Sequence, residues 1–113
     1  MTNDEKINEL TGKINTLIKK KNLFPDSKGN WFSSSQLDAL RQVYEKYGIR
    51  TAKMFQIGKI DRNRKAFEQK RNEILLEVLE FIERLRIDLR VASYLLGRLN
   101  PILNKIKEKE KRR

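Results

Sequence analysis

The sequence predicts an all-α protein, a helical bundle of four or five helices built around one long, heptad-patterned spine helix. Apolar residues recur at spacings of three and four through most of the chain, as they do along one face of a helix. In addition, a threonine and a serine each precede a glutamate or glutamine by three positions, which is the pattern of a helix N-terminus. The 113 residues suggest a single domain, 1–113, with a core of modest size.

The first predicted helix runs from Thr2 to about Lys21. Thr2 and Glu5 form a capping box that marks its start. The lysines at its end suit the negative pole of the helix dipole. Its apolar stripe consists of Ile7, Leu10, Ile14, Leu17 and Ile18.

A loop is predicted over residues 22–33, where Pro25 and Gly29 interrupt the helical spacing. Four large apolar side chains lie in it, and we expect them to cover the core, because apolar area is stabilised by leaving water. The alternative is that Trp31 stacks on a nucleic-acid base, as aromatic side chains do on single strands. The four apolar residues are Leu23, Phe24, Trp31 and Phe32.

Two further helices are predicted before the spine. Ser33 and Gln36 form the second capping box and open a helix that continues through Tyr47. Gly48 is placed to end it, because glycine adopts the left-handed conformation common after a helix. A short helix over 51–60 then follows.

The spine helix is predicted over 62–99 from an unbroken heptad seam. The stripe around this seam is too wide for a two-stranded coiled coil and indicates packing against two or more helices. We expect Leu85 and Leu89 in mid-seam to be core residues, and Asn100-Pro101 to kink the helix. Residues 105–113 are expected to form a basic, frayed tail. The seam consists of Leu75, Val78, Ile82, Leu85, Leu89, Ala92, Leu96, Leu99, Leu103 and Ile106.

The positive charge is concentrated in two zones. Lys and Arg number 26 against 15 acidic residues, a formal charge of +11 that attracts polyanions. The 50–71 zone has eight basic and two acidic residues, and four of the basic residues are arginines, which grip phosphate through a fixed fork of donors. We therefore expect this zone to contact a nucleic-acid backbone, the alternative being a merely solvated face. The expected contacts are Arg50, Lys53, Lys59, Arg62, Arg64, Lys65, Lys70 and Arg71.

The second zone, from Arg98 onward, has seven basic and two acidic residues. It either contacts phosphate as well or serves solubility. Between the two zones, residues 72–97 read as a mildly acidic packing helix, with five acidic and three basic residues.

The chain lacks residues on which several classes of function usually depend. The chain has no cysteine and no histidine, which excludes disulfides and thiolate zinc sites and removes the commonest general base. Three glutamates, Glu73, Glu77 and Glu80, share a helical face, but we take them as surface carboxylates. We expect no enzyme activity, no metal and no other cofactor. No apolar run approaches about 18 residues and the N-terminus is unlike a signal peptide, so we expect a cytoplasmic protein that does not bind membranes.

The first 47 residues have a characteristic order of elements. A short helix comes first, then a polar loop with Lys-Gly-Asn-Trp at 28–31, then Ser-Ser-Ser-Gln-Leu at 33–37, which opens the next helix. In this, residues 1–47 resemble the start of the small helical subunits of CRISPR effector complexes, especially the type III-A kind. That family has Arg after the corresponding Ser-Gln-hydrophobic step, whereas Asp38 stands here. The resemblance implies a non-catalytic subunit that lines a complex and contacts the backbone of guide-paired or displaced strands.

These observations favour sequence-independent binding of RNA or single-stranded DNA, as an accessory subunit of a ribonucleoprotein with other proteins or copies of itself as partners. One alternative is a helix-turn-helix regulator, in which residues 40–62 would present Thr51, Lys53 and Gln56 outward to a DNA groove. The other is a protein-interaction module that uses the heptad face.

Overall fold

The fold is described from a computed structural model, which covers residues 1–62 and 65–112. Over those residues the regular structure is entirely α-helical, so the predicted all-α class is confirmed. The same residues form six helices instead of the expected four or five. They are α1 (Asn3–Lys20), α2 (Ser34–Tyr47), α3 (Ile49–Arg62), α4 (Ala66–Leu85), α5 (Leu89–Gly97) and α6 (Leu99–Lys111).

Helix α1 begins and ends through local hydrogen bonds. Thr2 Oγ1 accepts a bond from the Glu5 amide at 3.2 Å, so the predicted cap is present. Asn22 adopts a left-handed conformation, with φ 53°, directly after the helix. The Leu23 amide then donates back to the Ile18 carbonyl at 3.0 Å, which closes a Schellman motif and turns the chain into the loop.

Helices α2 and α3 are separated by one glycine. Ser33 Oγ accepts from the Gln36 amide at 3.4 Å, so the second predicted cap is also present. Gly48, with φ 92°, ends α2 where predicted, and its amide donates to the Tyr44 carbonyl. Helix α3 starts immediately afterwards and is longer than the predicted 51–60 segment.

The expected continuous spine over 62–99 is instead divided first at residues 86–88. Arg86 adopts a left-handed conformation, with φ 52°, and the Ile87 amide donates to the Ile82 carbonyl at 3.2 Å, a second Schellman motif. Asp88 then caps α5, because its Oδ1 accepts from the Arg90 amide at 2.9 Å. Leu89, expected in mid-seam, is therefore 45% exposed, while Leu85 is only partly buried.

The second break falls at Arg98, before the predicted kink. Asn100 and Pro101 lie in the first turn of α6. Backbone N–H groups in the first turn have no acceptor within the helix, so a proline there breaks no hydrogen bond. The break therefore lies two residues before the expected kink. The seam residues Ala92, Leu96 and Leu103 on either side of the break remain buried, so a heptad pattern here describes three helices that face one core.

The core lies between α2, α4 and the two terminal helices. Helix α2 packs on α3 and α5, α3 packs on α4, and α1 packs on α4 and α6. The buried apolar side chains form one cluster. Its largest fully buried members include Ile14, Phe32, Leu40, Leu79 and Leu96.

Two asparagines of α6 hold the 29–32 segment. Asn100 Oδ1 accepts from the amides of Trp31 and Phe32 at 2.8 and 2.9 Å, and its Nδ2 donates to the Phe32 carbonyl at 2.9 Å. One turn later, Asn104 accepts from Trp31 Nε1 at 2.8 Å and donates to the Gly29 carbonyl at 2.9 Å. This asparagine clamp satisfies buried backbone groups that a loop would otherwise leave without partners.

The C-terminal segment, where we expected a frayed tail, is helical to Lys111. Glu110 accepts hydrogen bonds from Lys19 and Asn15 of α1, both at 2.9 Å. The bonds from Lys19 and Asn15 lower the pKa of Glu110 to about 2. The last turn of α6 is thus attached to α1 by a carboxylate that stays ionised in mild acid.

Asn100→Ala should lower the free energy of unfolding by at least about 2 kcal/mol. It leaves up to three buried backbone groups without partners, at about 1–3 kcal/mol for each such group. Urea denaturation of the variant measures this loss. Asn8→Ala, an exposed asparagine on α1, is the matched control and should change little. A loss as small as the control's would mean that the clamp does not hold the loop.

Arg86→Gly should raise the free energy of unfolding by about 0.5–1 kcal/mol, because glycine adopts the left-handed conformation without a steric penalty. Arg84→Gly is the control. Arg84 lies two residues earlier, inside α4, where glycine should cost about 1 kcal/mol. If both substitutions destabilise alike in urea denaturation, residue 86 is inside a continuous helix and the break is wrong.

Candidate nucleic-acid interface

Helices α3 and α4 form an antiparallel hairpin that carries the residues predicted to contact phosphate. Lys53 near the start of α3 is joined to Glu83 near the end of α4, which sets the two helices in opposite directions. Arg64 lies outside the described residues. Of the others, Arg50, Lys53, Lys59 and Arg62 lie on α3, Lys65 directly precedes α4, and Lys70 and Arg71 lie in its first two turns.

Four of these side chains are exposed: Arg50, Arg62, Lys65 and Lys70. Arg50 and Arg62 are twelve residues apart on one helix, or about 18 Å along its axis. One strand of B-form DNA presents about one phosphate per 3.4 Å, so this length corresponds to about five phosphates. Arg50, Arg62 and Lys70 form no ion pair with any carboxylate in the part of the chain that the structure describes.

Lys53 is placed differently from its exposed neighbours. Its Nζ lies 3.1 Å from Glu83 Oε1, and its side chain is only 28% exposed. A phosphate would have to compete with this carboxylate for the ammonium group. Lys53 is therefore the weakest of the predicted contacts on α3.

Lys59 lies on α3, on the side that faces the start of α2. Its Nζ is 5.2 Å from the centre of the Phe55 ring, within the range of a cation–π interaction. Its side chain also lines a polar cavity of about 320 Å³. The other residues around that cavity are Ser33, Ser35, Gln36, Ala39 and Asn72.

Arg71 is partly buried against Phe67, one turn earlier on α4. The carbon of its guanidinium is 4.3 Å from the centre of the Phe67 ring. Burial lowers the pKa of Arg71, against the opposing attraction of Asp26 and Glu68. Its Nε and Nη2 atoms are buried and have no hydrogen-bond partner among the described residues. Both are hydrogen-bond donors that solvent does not reach in this conformation.

Phe67 itself is 48% exposed, and sequence reasoning did not single it out. It stands within the basic zone and presents an aromatic ring beside Arg71. The signal that could have found it is the spacing of four residues between the two, which places them side by side on a helix. The hairpin thus combines cations with an accessible ring, as single-strand binding surfaces do.

Trp31, the residue considered for base stacking, is a core residue. It is 5% exposed, and its indole N–H is bonded to Asn104. Lys107 Nζ lies 5.8 Å from the ring centre. No face of the ring is open to a base in this conformation. Leu23 and Phe32 are buried with it as expected, but Phe24 is 66% exposed and does not cover the core.

Gln56, expected to face outward from α3, is fully buried. Its Nε2 donates to the carbonyl and to Oδ1 of Asn72, both at 3.0 Å. Gln36 of α2 donates to the same Oδ1. This buried amide cluster joins α2, α3 and α4, so Gln56 positions the hairpin and does not contact a ligand.

A second group of arginines consists of three from the segment expected to be a mildly acidic packing helix, residues 72–97, and of Arg98, which begins the second basic zone. Because the chain breaks at residues 86–88 and again at 98, the arginines around these breaks point to solvent. All four are exposed, and none forms an ion pair with a described carboxylate. They are Arg84, Arg86, Arg90 and Arg98.

No helix within 1–62 and 65–112 is both long and apolar enough to cross a bilayer. Over the same residues, no three acidic side chains are grouped as ligands of a metal ion would be.

Comparison with protein-family models, with curated proteins and with solved structures finds no match to this chain. The resemblance of residues 1–47 to CRISPR small subunits therefore remains a prediction.

Proposed function

We propose that this chain is a non-catalytic, cytoplasmic subunit of a ribonucleoprotein that binds the backbone of RNA or single-stranded DNA without regard to sequence. A CRISPR effector complex in antiviral defence is the assembly that the resemblance of residues 1–47 implies. The α3–α4 hairpin is the proposed contact surface, and Arg50, Lys59, Arg62, Lys65, Lys70 and Arg71 are its proposed phosphate ligands.

The observation that carries this proposal is the spread of exposed cations along the hairpin. Arg50 and Arg62 are about 18 Å apart along α3, and Lys70 lies on α4. None of the three forms an ion pair with a carboxylate that the structure describes. Several acidic residues are engaged elsewhere, as Glu110 is with Lys19 and Asp38 is with Arg41. A surface with this excess of positive charge attracts a polyanion along a stretch of comparable length.

The helix-turn-helix alternative is disfavoured by the geometry of α2 and α3. A DNA-binding helix-turn-helix has a turn of three to four residues, whereas Gly48 alone separates these helices. Of the residues expected to read bases, Gln56 is buried and Lys53 is bonded to Glu83. The proposed binding therefore depends on phosphates and not on base edges in a groove.

Protein partners remain part of the proposal because of one further surface. Met54 is 71% exposed, and Ile57, one turn later on α3, is also exposed. Exposed apolar residues that adjoin one another mark contact surfaces more often than scattered ones do. This stripe lies on the same helix as Arg50 and suits a neighbouring subunit or a second copy of the chain.

Binding to fluorescent 20-nucleotide RNA and single-stranded DNA should weaken steeply with salt. If the hairpin neutralises about five phosphates, log affinity against log salt should have a slope of about −3.5 for these single strands. Arg62→Ala with Lys70→Ala should flatten that slope by about one to two units and weaken two unrelated sequences alike. Fluorescence anisotropy at four salt concentrations measures both effects.

Lys13→Ala with Lys20→Ala is the matched control, since it removes the same charge from exposed positions of α1. It should leave the slope nearly unchanged. If the two double variants lose affinity equally, net charge and not the hairpin drives binding. Salt-independent affinity, or a strong preference for one sequence, would contradict the proposal.

A further inference from the structure

The exposed face of α5 places an aromatic ring between two arginines. Arg90 and Tyr94 are four residues apart on α5, and Arg98 directly follows its last residue, so the three side chains start within about 12 Å along the chain axis. Tyr94 is 60% exposed, although the Arg98 guanidinium lies 4.7 Å from its ring centre. The residue as a whole is therefore accessible to a ligand despite this contact.

These three residues border a groove of about 610 Å³ between α2 and α5. Leu89, displaced from the core by the break at residues 86–88, contributes an apolar side chain to the lining. Gly97 leaves room for the Arg41 side chain, since a Cβ at this position would lie 3.3 Å from Arg41 Cδ. The groove is thus a concave surface with an apolar part and a charged rim.

The charges of the groove favour an anionic occupant. Its carboxylate, Glu45, is bonded to Arg41 at 2.9 Å and also accepts a hydrogen bond from Ser93. Arg41 is further bonded to Asp38 at 2.7 Å. Arg90 and Arg98, in contrast, form no ion pair with any carboxylate that the structure describes. Two arginines therefore remain to bind an anion from outside.

We propose that this groove is a second contact site for single-stranded nucleic acid, in which a base stacks on Tyr94 while Arg90 and Arg98 bind the flanking phosphates. The inference rests on the proposed function and specifies its ligand, because only an unpaired base can reach the ring. An acidic peptide would match the charge, but it has no base to stack on a flat ring that lies between two arginines. Tyr94 thereby takes the role that the sequence suggested for Trp31.

The test compares a 20-nucleotide oligouridylate with an abasic oligonucleotide of the same length and charge. Tyr94→Ala should weaken binding of the oligouridylate by roughly 5- to 150-fold, the usual range for loss of one base–aromatic stack. Its affinity for the abasic strand should equal that of the wild type. Tyr94→Trp should bind both strands as the wild type does, and Phe24→Ala, which removes another exposed ring, is the control.

The outcomes separate this inference from the proposed function. If the wild type binds both strands with a steep salt dependence and Tyr94→Ala does the same, the groove is not a stacking site, but backbone binding stands. If Tyr94→Ala weakens binding of the abasic strand as much as binding of the oligouridylate, the ring has a structural role and the inference fails. If the wild type binds neither strand, or binds only a glutamate-rich peptide, both proposals are wrong.

Discussion

The asparagine clamp of α6 on the 29–32 segment is the contact on which the rest of the structure depends. It brings residues about 70 positions apart in the chain together and gives hydrogen-bond partners to backbone groups that lie against the core. Helix α2 starts directly after the clamped segment, at Ser34, and then packs on both α3 and α5. The basic hairpin and the Tyr94 groove are both built on α2, so the clamp positions both proposed contact surfaces.

The parts of the fold that the sequence predicted are those decided by neighbouring residues. The caps at Thr2 and Ser33 and the end of α2 at Gly48 depend on spacings of three or four positions, and all are present. The division of the spine was missed because a heptad pattern has the same phase in one long helix and in three helices facing one core. Arg86 gave no warning, since glycine or asparagine is the usual residue in its conformation.

The candidate site was predictable in its charge but not in its exposure. Composition alone located the cationic zone, because the excess of Lys and Arg over 50–71 is a property of the sequence. Which side chains face solvent depends on contacts between distant residues. Gln56 is hydrogen-bonded to Asn72 and Trp31 to Asn104, whereas Tyr94 lies exposed at the groove between α2 and α5. None of these partners is evident from local spacing.

The central claim, that the α3–α4 hairpin binds a nucleic-acid backbone, is tested most directly by following the backbone amides during a titration. Two-dimensional ¹H–¹⁵N NMR spectra of the labelled protein would be recorded as a 20-nucleotide RNA is added at low and at high salt. Perturbations should concentrate between Arg50 and Arg71, with a second group around Tyr94, and should diminish as salt screens the charges. Perturbations confined to the outer faces of α1 and α6, or none at all, would contradict the account.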